Sequence, residues 1–226
     1  MEYSPILSIV TAVFEIAAAL WALTAKCKKA ILLLSSALLF FLAGYQILEV
    51  IICANPQQHL FLSRFAFLWI ALLPPVGLLL TGQFDPLRTK AVRLYSVLMF
   101  AVALAAGVWI MMDRAFVTRT VCSVVFARFS NPAPEYLLYC IFYDSGLLGI
   151  VLLSWYGIVK GKDPVQRRML KQILLGMLFF IIPSLITLPF LPENGGALPS
   201  VMCHYALLLA IFITRLIWLE RRQMSA

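Results

Sequence analysis

Residues 44–53 of the chain read "GYQILEVIIC" and place Gln46, Glu49 and Cys53 at positions i, i+3 and i+7 within an otherwise apolar run. On a helix that spacing puts all three on one side. A charged group at the centre of a membrane helix is unfavourable by roughly 2.5–3.5 kcal/mol, so a carboxylate there needs either a partner or a function. The same problem recurs at Glu15 in "TAVFEIAAAL", Arg64 in "SRFAF", Asp144 in "YCIFYDSGLLG" and His204 in "MCHYALLL". Counted inward from the nearer end of each run, Glu49, Arg64 and His204 sit about 6 Å deep, Gln46 and Asp144 about 11–12 Å, and Glu15 about 15 Å.

Three chemistries suit this set. One is a buried ion-pair network, Glu49 with Arg64 and Asp144 or Glu15 with His204, that fixes helix packing. The second is a ligand or ion site lined by Glu15, Gln46, Glu49, Arg64, Asp144 and His204, with Tyr45 and Trp69 as apolar walls. The third is a metal or catalytic centre, for which Glu49, Asp144 and His204 are the available ligands and a divalent ion the cofactor, although no other cofactor is required. No HExxH stands in the sequence, and its two histidines are His59 and His204. A Gly-x-Ser-x-Gly nucleophile element is also missing, as is a CxxC.

The elements that must carry these residues follow from composition. The chain has 226 residues, 63% hydrophobic and 12% charged, with mean hydropathy +0.96. An ordinary soluble domain is roughly 45–50% apolar and about 25% charged. The expectation is therefore an all-α membrane protein, one seven-helix transmembrane domain over residues 1–226, with no room for a soluble catalytic domain. Seven stretches reach the roughly 20 apolar residues that a bilayer requires. They lie near 5–25, 30–53, 61–83, 94–112, 136–159, 169–191 and 200–219. The N-terminus lacks the basic start and small-residue cleavage site of a signal peptide, so the first run is read as a span.

Charge distribution gives an orientation. With the N-terminus outside, the inner side holds Lys26, Lys28 and Lys29, then Arg88, Lys90 and Arg93. Lys160, Lys162, Arg167, Arg168 and Lys171 follow, and then Arg215, Arg221 and Arg222. Only Arg64, Arg114, Arg119 and Arg128 remain on the outer side. The positive-inside rule thus predicts N-terminus outside and C-terminus inside, in a plasma (cytoplasmic) membrane. Trp21, Trp155 and Trp218 fall at the inner interface and Trp109 at the outer one, with Trp69 at depth. The formal net charge of +8 is then topological and attracts anionic lipid; nucleic acid is not an expected partner.

The long outer connection, "DRAFVTRTVCSVVFARFSNPAPE", is expected to lie along the interface, with a fold-back over the outer face as the alternative. Cys53 and Cys122 both fall on the outer side and are the expected disulfide, with Cys140 as the rival partner for Cys122. Cys27 is expected free and Cys203 is expected to pack. Pro74 and Pro75 interrupt the third span, and Pro183 and Pro189 the sixth, so each is a candidate kink or hinge.

"RRMLKQILLGMLFFIIPSLITLPFLP", then "LLLAIFITRLIWLERR", together with "LLPPVGLLLTGQFD" in the third span, resembles the seven-helix N-terminal sensor modules of some bacterial signalling proteins. The resemblance covers about half the chain and implies a sensor role. It also implies a cytoplasmic output domain after the last helix, whereas the sequence stops at Ala226, so signalling is expected to pass through a separate membrane or cytoplasmic partner. The leading expectation is a sensory or ligand-binding protein with an outward-facing polar pocket for a small molecule or lipid. The alternatives are a metal-dependent membrane enzyme acting on a lipid or small lipophile, a transporter, and an accessory subunit of a membrane complex.

Overall fold

The computed structural model describes residues 3–25, 27–55, 59–124, 126–132, 134–187 and 198–225. Eight helices and one hairpin make up this part of the chain. They are α1 (Ile6–Thr24), α2 (Lys29–Ala54), α3 (His59–Ala71), α4 (Leu73–Thr81), α5 (Lys90–Met112), α6 (Glu135–Lys160), α7 (Pro164–Thr187) and α8 (Leu198–Ser225). Strands β1 (Arg119–Cys122) and β2 (Ala127–Ser130) lie between α5 and α6. Taking α3 and α4 as one span, seven helices are long and apolar enough to cross a membrane, and the chain is a multi-pass membrane protein.

The third span divides at Leu72, where Pro74 and Pro75 fall in the first turn of α4. At a helix start the missing proline N–H would have had no acceptor, so two prolines are tolerated there and not in mid-helix. The sixth span begins earlier than its hydropathy indicates, at Pro164, because Asp163 caps it: Oδ1 accepts from the Val165 amide at 2.8 Å. Pro183 lies inside α7; Pro189 is outside the described residues.

α1 packs on α2, α2 on the α3–α4 pair, α4 on α6, α6 on α7, and α7 on α8, which returns to α1 and α2. The third span is central, with 67% of its apolar window buried, whereas α5 leans on it from outside with 28%. Close approach is achieved with small residues, as membrane helices require. Ala18, Ala19 and Ala22 of α1 are buried, and Ser36 of α2 donates to the Ala19 carbonyl at 3.4 Å. At Gly146 of α6 a Cβ would stand 2.5 Å from Cβ of Pro74, so only glycine lets α6 meet the head of α4.

The connection after α5 does not lie along the interface. It folds back over the bundle as an antiparallel hairpin with Thr120 opposite Phe129 and Cys122 opposite Ala127. Alternation along the strands turns these four residues inward. Thr120 meets Ser63 of α3 (Oγ1–Oγ 2.8 Å), Cys122 is disulfide-bonded to Cys53 of α2, and Phe129 stands edge-on to Phe67 at 5.2 Å between centroids. Phe116, fully buried, packs edge-on against Phe67, Trp109 and Tyr139. These aromatic contacts explain the fold-back: a segment carrying Phe116 and Phe129 buries more apolar area under the hairpin than it would lying flat. The N-terminus joins the same layer, with Ser4 N–H donating to Val124 O at 2.7 Å.

Candidate functional site

Beneath the hairpin, α1, α2 and α8 converge and bring four of the residues singled out from the sequence into one buried polar cluster. α2 contributes Tyr45, Gln46 and Glu49 from the side that faces α8. The Tyr45 hydroxyl and the Ser200 hydroxyl are 3.2 Å apart, and Gln46 Nε2 donates to the Cys203 carbonyl. Glu49 has no solvent exposure. Its carboxylate is approached by the Ser200 hydroxyl, the Ala127 amide of β2 and the Tyr3 phenol, none of which reaches hydrogen-bonding geometry. Tyr3 lies outside the spans, on the chain leading into α1, and its phenol is pushed up by burial, with the Glu49 carboxylate adding to the rise.

Glu15 of α1 is equally sealed, with 0% exposure and no partner on either oxygen. One turn before it, Thr11 Oγ1 is also buried without a partner, as is Gln46 Oε1. The Cys203 thiol is within electrostatic reach of both carboxylates. Two carboxylates, an amide oxygen and a threonine hydroxyl are therefore withdrawn from water with acceptor capacity unused. An ion pair is formed at the opposite end of the bundle, where Lys28 and Glu220 stand 3.7 Å apart.

The other candidates are placed elsewhere. His204, on α8, donates from Nδ1 to the Ser200 carbonyl at 2.6 Å and leaves Nε2 without a partner, but it makes no ion pair with Glu15 or Asp144. Arg64 of α3 does not pair with Glu49. Its guanidinium reaches the Met111 carbonyl at 3.4 Å, one of the last carbonyls of α5, which have no acceptor role left within the helix. Trp69 lies on another side of α2, where Nε1 donates to the Phe41 carbonyl at 2.8 Å and the indole covers Gly44.

Asp144 is exposed on α6 and opens onto a lateral cleft of about 320 Å³ walled by Leu148, Val151, Leu178, Ile181 and Leu185. The ligand shell Glu49, Asp144 and His204 is consequently not assembled. Among the described residues no three His, Cys, Asp or Glu side chains stand close enough to hold a metal ion. Asp144 instead meets α8 from the α6 side, lining a recess with Tyr136, Cys140, Met202 and Cys203 that includes neither Glu49 nor His204.

Ser200 also belongs to the cluster, as does Cys203, which the sequence marks only as a packing residue and which is indeed buried in the core. Their signal was the spacing at the head of the last span, Ser200, Cys203 and His204 at i, i+3 and i+4, the same stripe that marks Gln46 and Glu49. Cys140 and Cys27 are free thiols; Cys27 Sγ donates to the Ile217 carbonyl at 3.6 Å. In comparison with known protein families and with curated protein sequences, the chain matches none.

Proposed function

We propose that the chain is a single seven-helix sensory domain of a plasma (cytoplasmic) membrane. The N-terminus and hairpin would be outside and the C-terminus inside. The ligand site would lie at the α1–α2–α8 junction. Supporting the orientation, Lys28, Lys29, Arg88, Lys90, Lys160 and Arg222 all belong to the end of the bundle away from the hairpin, and the disulfide belongs to the hairpin end.

The observation that carries the ligand reading is the pair Glu15 and Glu49, fully buried and, among the described residues, with no hydrogen-bond partner on any carboxyl oxygen. Unused acceptors next to Gln46 and Cys203 suit a small ligand that brings positive charge or hydrogen-bond donors. Such a ligand would draw α1, α2 and α8 together, and the break at Leu72 and Pro183 would let α4 and α7 adjust. Their inner ends would present the change to a signalling partner. A second reading, that the ligand is a lipid or lipophile entering sideways, is favoured by the cleft beside Asp144.

The test is extraction and mass spectrometry of the small molecules that co-purify with the wild type and with Glu15→Gln/Glu49→Gln. A species held by the wild type and lost from a folded double variant supports the proposal. Identical extracts, together with a double variant at least as stable as wild type, would overturn it, because in a purely structural cluster the unpartnered buried carboxyls would serve no ligand.

A further inference from the structure

At the end of the bundle opposite the hairpin, the turn from α4 to α5 encloses an open recess of about 500 Å³. Arg88, Lys90 and Arg93 line it, together with Gln83 and Ser96. No acidic side chain lines it, and none of the three cations is ion-paired among the described residues. Thr89 caps α5, its Oγ1 accepting from the Val92 amide at 3.2 Å and its carbonyl accepting from Arg93 N–H at 3.1 Å. The Lys90 and Ala91 amides, first in the helix, have no intrahelical acceptor, and the positive pole of α5 adds to the field of the three side chains.

We propose that this recess binds a phosphate group, supplied by the headgroup of an anionic phospholipid. Three cations lining one concave site suit a phosphate's oxygens, and two guanidinium groups allow paired contacts that a lysine alone does not. The position argues for the lipid. α5 begins at Lys90, at the boundary between polar turn and apolar span, and Leu94, Val97 and Leu98 on its next two turns are all exposed. A headgroup held at Arg88 and Arg93 would lay its acyl chains along that exposed face. Basic recesses between transmembrane helices bind anionic headgroups in this way. The inference is independent of the carboxylate cluster, which lies at the other end of the bundle.

The experiment places the full chain in phosphatidylcholine nanodiscs doped with phosphatidylglycerol and counts retained phosphatidylglycerol by native mass spectrometry. Arg88→Gln/Arg93→Gln should retain it on the order of thirty-fold more weakly, for two surface cations lost. Arg88→Lys/Arg93→Lys should recover most of the binding, and Lys160→Gln/Lys162→Gln should leave it unchanged. A titration with inorganic phosphate separates the sources. Displacement only at concentrations far above the lipid's supports the headgroup; equal competition supports the phosphate site with a free anion as its occupant. Equal losses in the Arg88/Arg93 and Lys160/Lys162 variants, or no loss in either, would overturn the proposal.

Discussion

Gly44 opens the stretch that carries Gln46 and Glu49, and replacing it with alanine tests how α2 is held against the third span. A Cβ at this position would stand 2.5, 2.6 and 2.7 Å from Nε1, Cε2 and Cζ2 of Trp69. The indole cannot yield without losing its hydrogen bond to the Phe41 carbonyl (2.8 Å) and its edge-on contact with the Phe41 ring (5.2 Å between centroids). Overpacking a membrane or soluble core typically destabilises by about 1–3 kcal/mol. The lost hydrogen bond adds about 1 kcal/mol. Gly44→Ala should therefore lose about 2–4 kcal/mol in reversible unfolding of the purified chain in mixed micelles. Trp69→Phe removes the donor and the edge of the ring that the methyl would strike, so in that background Gly44→Ala should lose less than about 1 kcal/mol. The resulting coupling, about 1–3 kcal/mol, stands above the roughly 0.5 kcal/mol expected of independent sites. Additivity within that margin, or a neutral Gly44→Ala, would refute the packing argument.

Two further outcomes follow from the same geometry. Cys53→Ser/Cys122→Ser opens a link between residues 69 apart in sequence, worth about 4 kcal/mol for a free chain. Helices that stay inserted on unfolding already restrict that loop, so the loss should be about 1–3 kcal/mol. The hairpin should then become cleavable by protease under native conditions, and a hairpin equally resistant in both forms would show that Phe116 and Phe129 hold it unaided. At the other end, Asp163 accepts from the Val165 amide and from Gln166, which hold its carboxyl below the usual range. A depressed folded value means that the cap stabilises above about pH 4 and is lost as pH falls through the lower folded value. Asp163→Ala should lose about 1 kcal/mol at neutral pH and Asp163→Asn less, with the gap to wild type closing in acid; a pH-independent gap would contradict the assignment.

Length and apolarity sufficed to find the seven spans, because a bilayer imposes one length and one backbone solution on every crossing. The ends were harder. Polar "DPVQRR" hid the first turn of α7, since a helix can begin outside the apolar slab wherever a cap such as Asp163 is present. The hairpin was concealed because its strands have four residues each and alternate Arg119, Val121 and Arg128 with inward Thr120, Cys122 and Phe129. A period of two over so short a run looks much like a segment lying flat on a membrane. Within the candidate site, Glu15, Gln46 and Glu49 were legible as polar interruptions of apolar runs. Asp144 gave the same signal, yet it is exposed in a recess beside α7 and α8 and does not join Glu15 and Glu49, because hydropathy reports depth along a span and not rotation about it. Arg64 was misleading for a related reason, since charge invites pairing with charge while the nearest need was an orphan carbonyl at Met111.

α8 carries Ser200 and Cys203 near one end and Glu220, clasped by Lys28, near the other. Between Ser200 and Arg222 the sequence contains neither proline nor glycine, so about 30 Å of helix separates the two ends without a joint. A rod of that kind cannot absorb a displacement along its length. Any shift imposed at its head arrives at its foot as the same rotation or slide, and the Arg221 and Arg222 side chains must swing with it.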